Sequence, residues 1–279
     1  MEYITLNNGV RMPHMGFGTI GQSGEQITDN VAFALTHGYE LIDTANRYGN
    51  EVEVGEGLRR SGVKRESYLL ETKLGPTLYE NDRAIDDTLK RLGLDYIDIM
   101  LLHHPVNNYR YAYGMLVKAY KAGKIRAIGL SNFPDEKIQE ILDNFDTPPA
   151  LMQVEGHPYF PAEEAKPFCD GHQIALQTWF PLGHGNSALM GEPVIAALAE
   201  KYGKDPAQII LRWHVQFGFC PVPGSRSHGH IESNARIFDF ALTGEDMAAL
   251  ASLNKHEPFF RPNEAAQRMV ATTKCNFEE

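Results

Sequence analysis

The chain has 279 residues, 43% of them hydrophobic, and a formal net charge of −10 at pH 7. That length suits one large core, such as the roughly 250 residues of a closed α/β barrel, and the negative balance argues against a nonspecific nucleic-acid or anionic-lipid binder. Three widely spaced cysteines, Cys169, Cys220 and Cys275, offer no disulfide framework and no CxxC metal pair, so a reducing cytoplasm is the expected compartment.

The first residues lack the basic segment and apolar run of a signal peptide, and no apolar stretch is long enough to span a membrane. Asn8-Gly9 between short apolar runs predicts an N-terminal β-hairpin, which can plug one end of a barrel. Strands and helices then alternate. Predicted strands are His14 to Gly18, Tyr39 to Asp43, Tyr68 to Lys73, Tyr96 to Leu102, Lys124 to Leu130, Leu151 to Glu155, Ile174 to Trp179 and Phe219 to Val222. Helical apolar spacing fills the intervals from about Gln26 to His37, Glu51 to Arg60, Tyr79 to Leu92, Tyr111 to Ala122, Asp135 to Asp143 and Ala162 to Gly171. A Pro/Gly-rich loop, Pro181 to Gly191, precedes two helices near Val194 to Tyr202 and Pro206 to Phe217; further helices are expected at His228 to Arg236 and Gly244 to Leu253.

Such alternation implies parallel strands joined by right-handed crossovers. The expected fold is α/β: one (β/α)8-barrel domain over residues 1–279, with an N-terminal hairpin and extra C-terminal helices. An open doubly wound sheet is the alternative, but Gly16-Phe17-Gly18 is only GxG and carries no Rossmann fingerprint.

Barrel active sites lie at the C-terminal ends of the strands. Asp43, Lys73 and His103 end the second, third and fourth strands, and Tyr48 follows the second closely. A lysine beside a phenol stabilises the phenolate. A carboxylate fixes that lysine and offsets the cost of burying it. A histidine can orient and polarise a carbonyl. The set suits protonation of a developing alkoxide while a hydride arrives at carbon. Each residue also has a structural reading: Asp43 as a cap, Lys73 as a surface group, His103 as a satisfied core histidine, Tyr48 as a packed aromatic. Their joint placement favours chemistry.

The segments Gly16-Phe17-Gly18-Thr19, Leu41-Ile42-Asp43-Thr44-Ala45, Tyr48-Gly49-Asn50-Glu51, Glu71-Thr72-Lys73, Leu101-Leu102-His103, Lys124 to Phe133, Gln153-Val154-Glu155 and Pro181-Leu182-Gly183 resemble the aldo-keto reductase superfamily from end to end. The resemblance implies that Tyr48 is the general acid, that Lys73 paired with Asp43 tunes it, and that His103 orients the substrate. His104 falls where a tryptophan is common and is expected in the substrate pocket, with Ile20 beside Tyr48 and His103. Asn46, Gly156, Tyr159, Phe259 and Phe260 are further pocket candidates, and the short C-terminal tail is expected to leave room for bulky substrates.

The implied hydride source is NADP(H), with NAD(H) possible. By resemblance Ser131, Asn132 and Gln153 hold the carboxamide, Trp179 stacks on the nicotinamide, and Gly18, Thr19 and Asp43 lie near that end. Pro181, Leu182, Ser225, Arg226 and Asn234 complete the cofactor contacts. Phe180 stands where a serine is usual, Gly224 and His230 replace the lysine and arginine that grip the 2′-phosphate, and Ser233 replaces an adenine-contacting glutamate. Expected partners are a small carbonyl or alcohol, with no nucleic acid, no membrane and no metal, and the expected state is a monomer. The rival readings are a silent nicotinamide-binding regulatory barrel and a metal-dependent barrel hydrolase; for the latter, no HxH or HExxH spacing occurs, and the alternation of a strand should turn His103 and His104 to opposite sides.

Overall fold

The computed structural model describes residues 1–261 and 263–278. β1 (Tyr3–Thr5) and β2 (Arg11–Pro13) pair as the antiparallel hairpin. Gly9, at φ +86°, supplies the left-handed turn position that favours glycine. Leu6 and Met12 pack against Leu41, Ile99, Leu101, Ala127, Leu151 and Cys220. The hairpin therefore plugs the floor of the barrel.

Eight parallel strands follow: β3 (Phe17–Gly18), β4 (Leu41–Asp43), β5 (Leu69–Leu74), β6 (Ile97–Leu102), β7 (Ile125–Ser131), β8 (Leu151–Glu155), β9 (Ala175–Trp179) and β10 (Phe219–Pro221). Each pairs with its neighbour in sequence order. The first and last meet where the Gly16 and Gly18 amides donate to the Pro221 and Pro223 carbonyls, both at 3.0 Å. A Cβ on Gly18 would lie 2.8 Å from the Val222 carbonyl oxygen, so glycine permits this closure.

Alternation divides each strand between two cores. Leu41, Ile99 and Leu101 face the barrel interior. Ile42, Met100 and Leu102 face the surrounding helices, where they join Val31, Leu89, Leu116 and Ile138. Burial on both faces explains why Ile97–Leu102 reads as a nearly unbroken apolar run.

The helices are α1 (Gly24–Thr36), α2 (Glu51–Arg60), α3 (Ala84–Leu92), α4 (Tyr109–Lys121), α5 (Asp135–Asn144), α6 (Lys166–Gly171), α7 (Ser187–Met190), α8 (Pro193–Tyr202), α9 (Pro206–Phe217), α10 (His228–Ala235), α11 (Gly244–Ala251) and α12 (Glu264–Thr272). α9 starts as its sequence dictates: Pro206 stands in the first turn and Asp205 and Gln208 form a capping box. Among the described residues, no helix is long and apolar enough to cross a membrane.

Three local expectations change. α3 begins at Ala84 rather than near Tyr79, because Pro76–Leu78 forms a separate 3-10 turn. The loop after β9 contains α7. Most consequentially, the tail does not leave one edge of the mouth open: α12 folds back over the loops after β4 and β5. Arg47 Nη1 donates to the Val270 carbonyl at 2.9 Å, Thr77 Oγ1 to Glu278 at 2.7 Å, and Asn276 Nδ2 to the Gly49 carbonyl at 3.2 Å.

Candidate active site

The residues at the C-terminal ends of β4 and β5 meet in a buried ion pair. Lys73 Nζ lies 2.5 Å from Asp43 Oδ1 and also donates to the Thr44 carbonyl at 3.0 Å. The Lys73 side chain is fully buried and that of Asp43 nearly so. The third neighbour of the ammonium is the Tyr48 hydroxyl, at 3.3 Å. Tyr48 sits there because Asn46–Tyr48 forms a 3-10 turn that Gly49 ends at φ +64°.

Burial alone would lower the pKa of Lys73, but its neighbours, the Asp43 carboxylate foremost, outweigh it and hold the group above its usual value. Lys73 is therefore an ammonium. Burial raises the Tyr48 pKa and the Lys73 charge pulls it back only in part. The phenol is thus protonated at neutral pH and touches a cation that would stabilise its conjugate base.

His103 faces Tyr48 edge-on, with ring centroids 5.9 Å apart. Burial first, then His104, Lys73 and Arg47, push its pKa well below the usual histidine value. It is a neutral imidazole. His104 does not turn away: its ring stacks on His103 at 4.7 Å and 12°. β6 ends at Leu102, so strand alternation no longer governs the two residues after it. Burial, aided by Arg47 and Lys73, lowers the His104 pKa to about 4. Tyr79, which the sequence reading passed over, pins this segment: its hydroxyl donates to the His104 carbonyl at 2.8 Å and accepts from the His104 amide at 3.1 Å.

Across the mouth, Trp179 Nε1 donates to Asn132 Oδ1 at 2.9 Å, and Asn132 Nδ2 donates to Ser131 Oγ at 2.9 Å. Asn132 adopts φ +61°, a conformation asparagine tolerates better than most residues. Gln153 is buried, and its Nε2 donates to Asp43 Oδ1 at 3.2 Å and Glu71 Oε1 at 2.9 Å. The Thr19 amide donates to the Asp43 carbonyl at 3.0 Å. Two buried polar atoms near these groups, Thr19 Oγ1 and His103 Nδ1, have no hydrogen-bond partner. Unpaired buried polar groups cost free energy unless something satisfies them, so a polar molecule fits against this part of the mouth.

Phe180, at φ +52°, turns its ring against Trp179 (4.9 Å) and His184 (4.5 Å). Pro181 and Leu182 follow, and the Pro181 carbonyl approaches His214 Nε2 at 3.3 Å. Beyond β10 the chain is more open. Gly224 and His230 are exposed. Arg226 Nη2 donates to the Gly21 carbonyl at 2.6 Å, Ser225 accepts from the Ser227 amide at 3.1 Å, and Asn234 is buried.

Several pocket expectations are corrected. Asn46 is fully buried and its amide is spent on Glu51 (2.8 Å) and Thr88 (3.1 Å). Tyr159 is buried under Lys255, with its hydroxyl on Glu192 at 2.6 Å. Gly156 makes room for Thr178, whose Cγ2 would lie 2.5 Å from an added Cβ. Ile20, Phe259 and Phe260 remain exposed, and Phe260 stands edge-on to Trp179 at 6.4 Å. Glu155 anchors that aromatic pair by accepting from the Phe259 amide at 2.6 Å and the Phe260 amide at 3.1 Å.

A parallel α/β barrel with a Lys–Asp pair under a phenol at its mouth is the frame of a carbonyl oxidoreductase. The model of the Aldo/keto reductase family matches residues 14–255. The chain is 41% identical to glyoxal reductase of Bacillus subtilis over 261 residues, 92% of this chain and 94% of that one. It is 38% identical to morphine 6-dehydrogenase of Pseudomonas putida over 272 residues, 90% of each. The solved structure of an aldo/keto reductase from Brucella melitensis superposes with a TM-score of 0.86 at 36% identity, covering 91% of this chain and 99% of that one. The chain belongs to the aldo-keto reductase family and is an NAD(P)H-dependent oxidoreductase acting on carbonyl groups.

Proposed function

We propose that the protein reduces an aldehyde or ketone to the alcohol with Tyr48 as general acid, and that NADPH is its preferred cofactor, with NADH also accepted. The observation that carries this reading is the contact of a neutral Tyr48 phenol with the buried Lys73–Asp43 pair. Tyr48 gives its proton to the substrate oxygen as negative charge develops there, and Lys73 stabilises the phenolate left behind. His103, neutral and edge-on to Tyr48, donates a hydrogen bond to the same oxygen and orients the carbonyl. His104 and Ile20 line the substrate side.

The nicotinamide cofactor supplies the hydride that reaches the carbonyl carbon. Ser131, Asn132 and the free oxygen end of Gln153 would hold its carboxamide, with Gly18, Thr19 and Asp43 beside it. The Trp179 indole, fixed by its bond to Asn132, would stack on the ring. Pro181 and Leu182 would border the diphosphate, and Ser225, Arg226 and Asn234 the adenosine end. Arg226 is the remaining guanidinium for a 2′-phosphate; with Gly224 and His230 at neighbouring positions, the preference for NADPH is modest.

The relatives' names span a small dialdehyde and a bulky alkaloid, so the reading is kept to carbonyls as a class. We also infer one domain, a monomer, and action in the cytoplasm without nucleic-acid partners, on the grounds of continuous barrel connectivity, three free buried cysteines and the net charge of −10. The test is absorbance-monitored oxidation of NADPH and of NADH with a panel of aldehydes and ketones. Turnover with both cofactors, faster with NADPH, is expected. A strong NADH preference would remove the cofactor assignment, and absence of turnover with every carbonyl would remove the reaction.

A further inference from the structure

Below the Lys73–Asp43 pair the barrel interior holds a second carboxyl that the reaction leaves unexplained. Glu71 lies two residues before Lys73 on β5, so alternation turns both inward. It is also in register with Asp43 on β4. Its side chain is completely buried. Four other buried carboxyls have a lysine or arginine partner: Asp43 has Lys73, Glu51 has Arg91, Asp98 has Arg65, and Asp246 has Lys201; Glu155 has His157 Nε2 at 3.2 Å and two backbone amides. Glu71 forms no ion pair among the described residues. Its oxygens instead receive Gln153 Nε2 at 2.9 Å and Gln177 Nε2 at 3.1 Å.

The hydrogen count around Gln153 supplies a second argument. Its Nε2 has two hydrogens but three acceptors: Asp43 Oδ1, Glu71 Oε1 and Gln177 Oε1. Asp43 Oδ1 already accepts from Lys73 Nζ, so it competes with Glu71 and Gln177 for those two hydrogens, and the amide nitrogen lies between the two carboxyls. Register places the Glu71 and Asp43 side chains side by side on neighbouring strands, and the same Gln153 nitrogen bonds both carboxyls. One lysine facing two carboxyls in a dry interior leaves a net negative charge unless one of them is neutral.

We propose that Glu71 is a neutral carboxylic acid whose proton is donated to the Asp43 carboxylate, and that it is a positioning residue which turns Asp43 toward Lys73. The inference rests on the reading of Tyr48, Lys73 and Asp43 as the reacting group. Burial and the neighbouring Asp43 charge push the Glu71 pKa in the same direction, well above the usual carboxylate range. A neutral Glu71 adds no second negative charge beneath Lys73. The lysine's field then acts on Tyr48 with only Asp43 to balance it.

The test pairs infrared spectroscopy with kinetics on the full chain. With ¹³C-labelled glutamate, the wild-type protein should show an isotope-shifted protonated-carboxyl stretch that persists at pH 8 and is missing from Glu71→Gln. Glu71→Gln, a neutral donor of similar shape, should keep kcat within about threefold and leave its pH profile in place. Glu71→Leu should lower kcat by roughly tenfold, the weight of one buried hydrogen bond, with KM little changed. The idea is overturned if the wild-type spectrum shows no such band at pH 8, or if Glu71→Gln moves the alkaline limb of the kcat profile by a pH unit, as loss of a real negative charge would. The infrared band is independent of turnover. A Tyr48→Phe enzyme that remained active would defeat the catalytic reading and leave the Glu71 proton standing.

Discussion

The two ends of the barrel mouth are built differently. Around Asp43, Lys73 and Tyr48 nearly every polar group has a partner at a definite distance, and the charges are buried. Around Gly224 to His230 the chain is largely exposed, and Arg226 is held by one backbone carbonyl. Altering a buried pair leaves an uncompensated charge, whereas an exposed loop tolerates exchange. In the proposed function the first region sets the reaction, and the second tunes the cofactor.

The sharpest way to break this contrast is Tyr48→Phe. It should reduce hydride-transfer rates by roughly 10²–10⁴-fold, the usual weight of a general acid, with cofactor affinity unchanged by fluorescence titration. Next is Lys73→Met, which leaves Asp43 buried and unpaired. Urea denaturation should register a loss of about 3–5 kcal/mol, with activity falling as well. At the exposed end, His230→Arg should raise the NADPH/NADH ratio of kcat/KM by about tenfold, one charge-assisted hydrogen bond, without changing stability. Gly224→Lys should do less: its Cβ would lie 2.7 Å from the Gly18 carbonyl oxygen, so the loop must shift away from the barrel seam.

The smallest effect concerns pH. His103 is held neutral well below its usual pKa, His104 titrates at about 4 and His214 at about 3, each chiefly through burial. The unfolded chain protonates these groups near ~6.5 while the fold does not, so stability should fall as pH drops through that value. Glu71 acts in the opposite sense: it is protonated in the fold and ionised in the unfolded chain above ~4.3, so it costs stability as pH rises. His14, which burial also holds below its usual value, adds to the histidine side, and the expected net result is a lower urea midpoint at pH 5.5 than at pH 7.5.

Much of this was readable in the sequence because glycine stops and apolar runs punctuate the chain. The strand ends at Asp43, Lys73 and His103 fixed which residues share the mouth. What escaped depends on side-chain direction and long-range docking. Asn46 stands next to Arg47 in the mouth loop, yet its amide points back to Glu51. α12 buries only Val270; it is held largely by polar contacts, so apolar periodicity gave no sign of it. The strand end at Leu102 was legible, but strand alternation does not extend to His103 and His104 beyond it, and their stacking depends on the loop geometry that Tyr79 pins. Glu71 was within reach of sequence reasoning, since alternation from Lys73 places it inside the barrel. Its partners Gln153 and Gln177 come from strands far along the chain.

The most direct test of the division between the two ends is single-turnover hydride transfer to one aldehyde from NADPH and from NADH, in wild type and in Tyr48→Phe. The predicted result is the same large loss of rate with both cofactors, so that their ratio is unchanged. Undiminished transfer in Tyr48→Phe, or a loss confined to one cofactor, would contradict it.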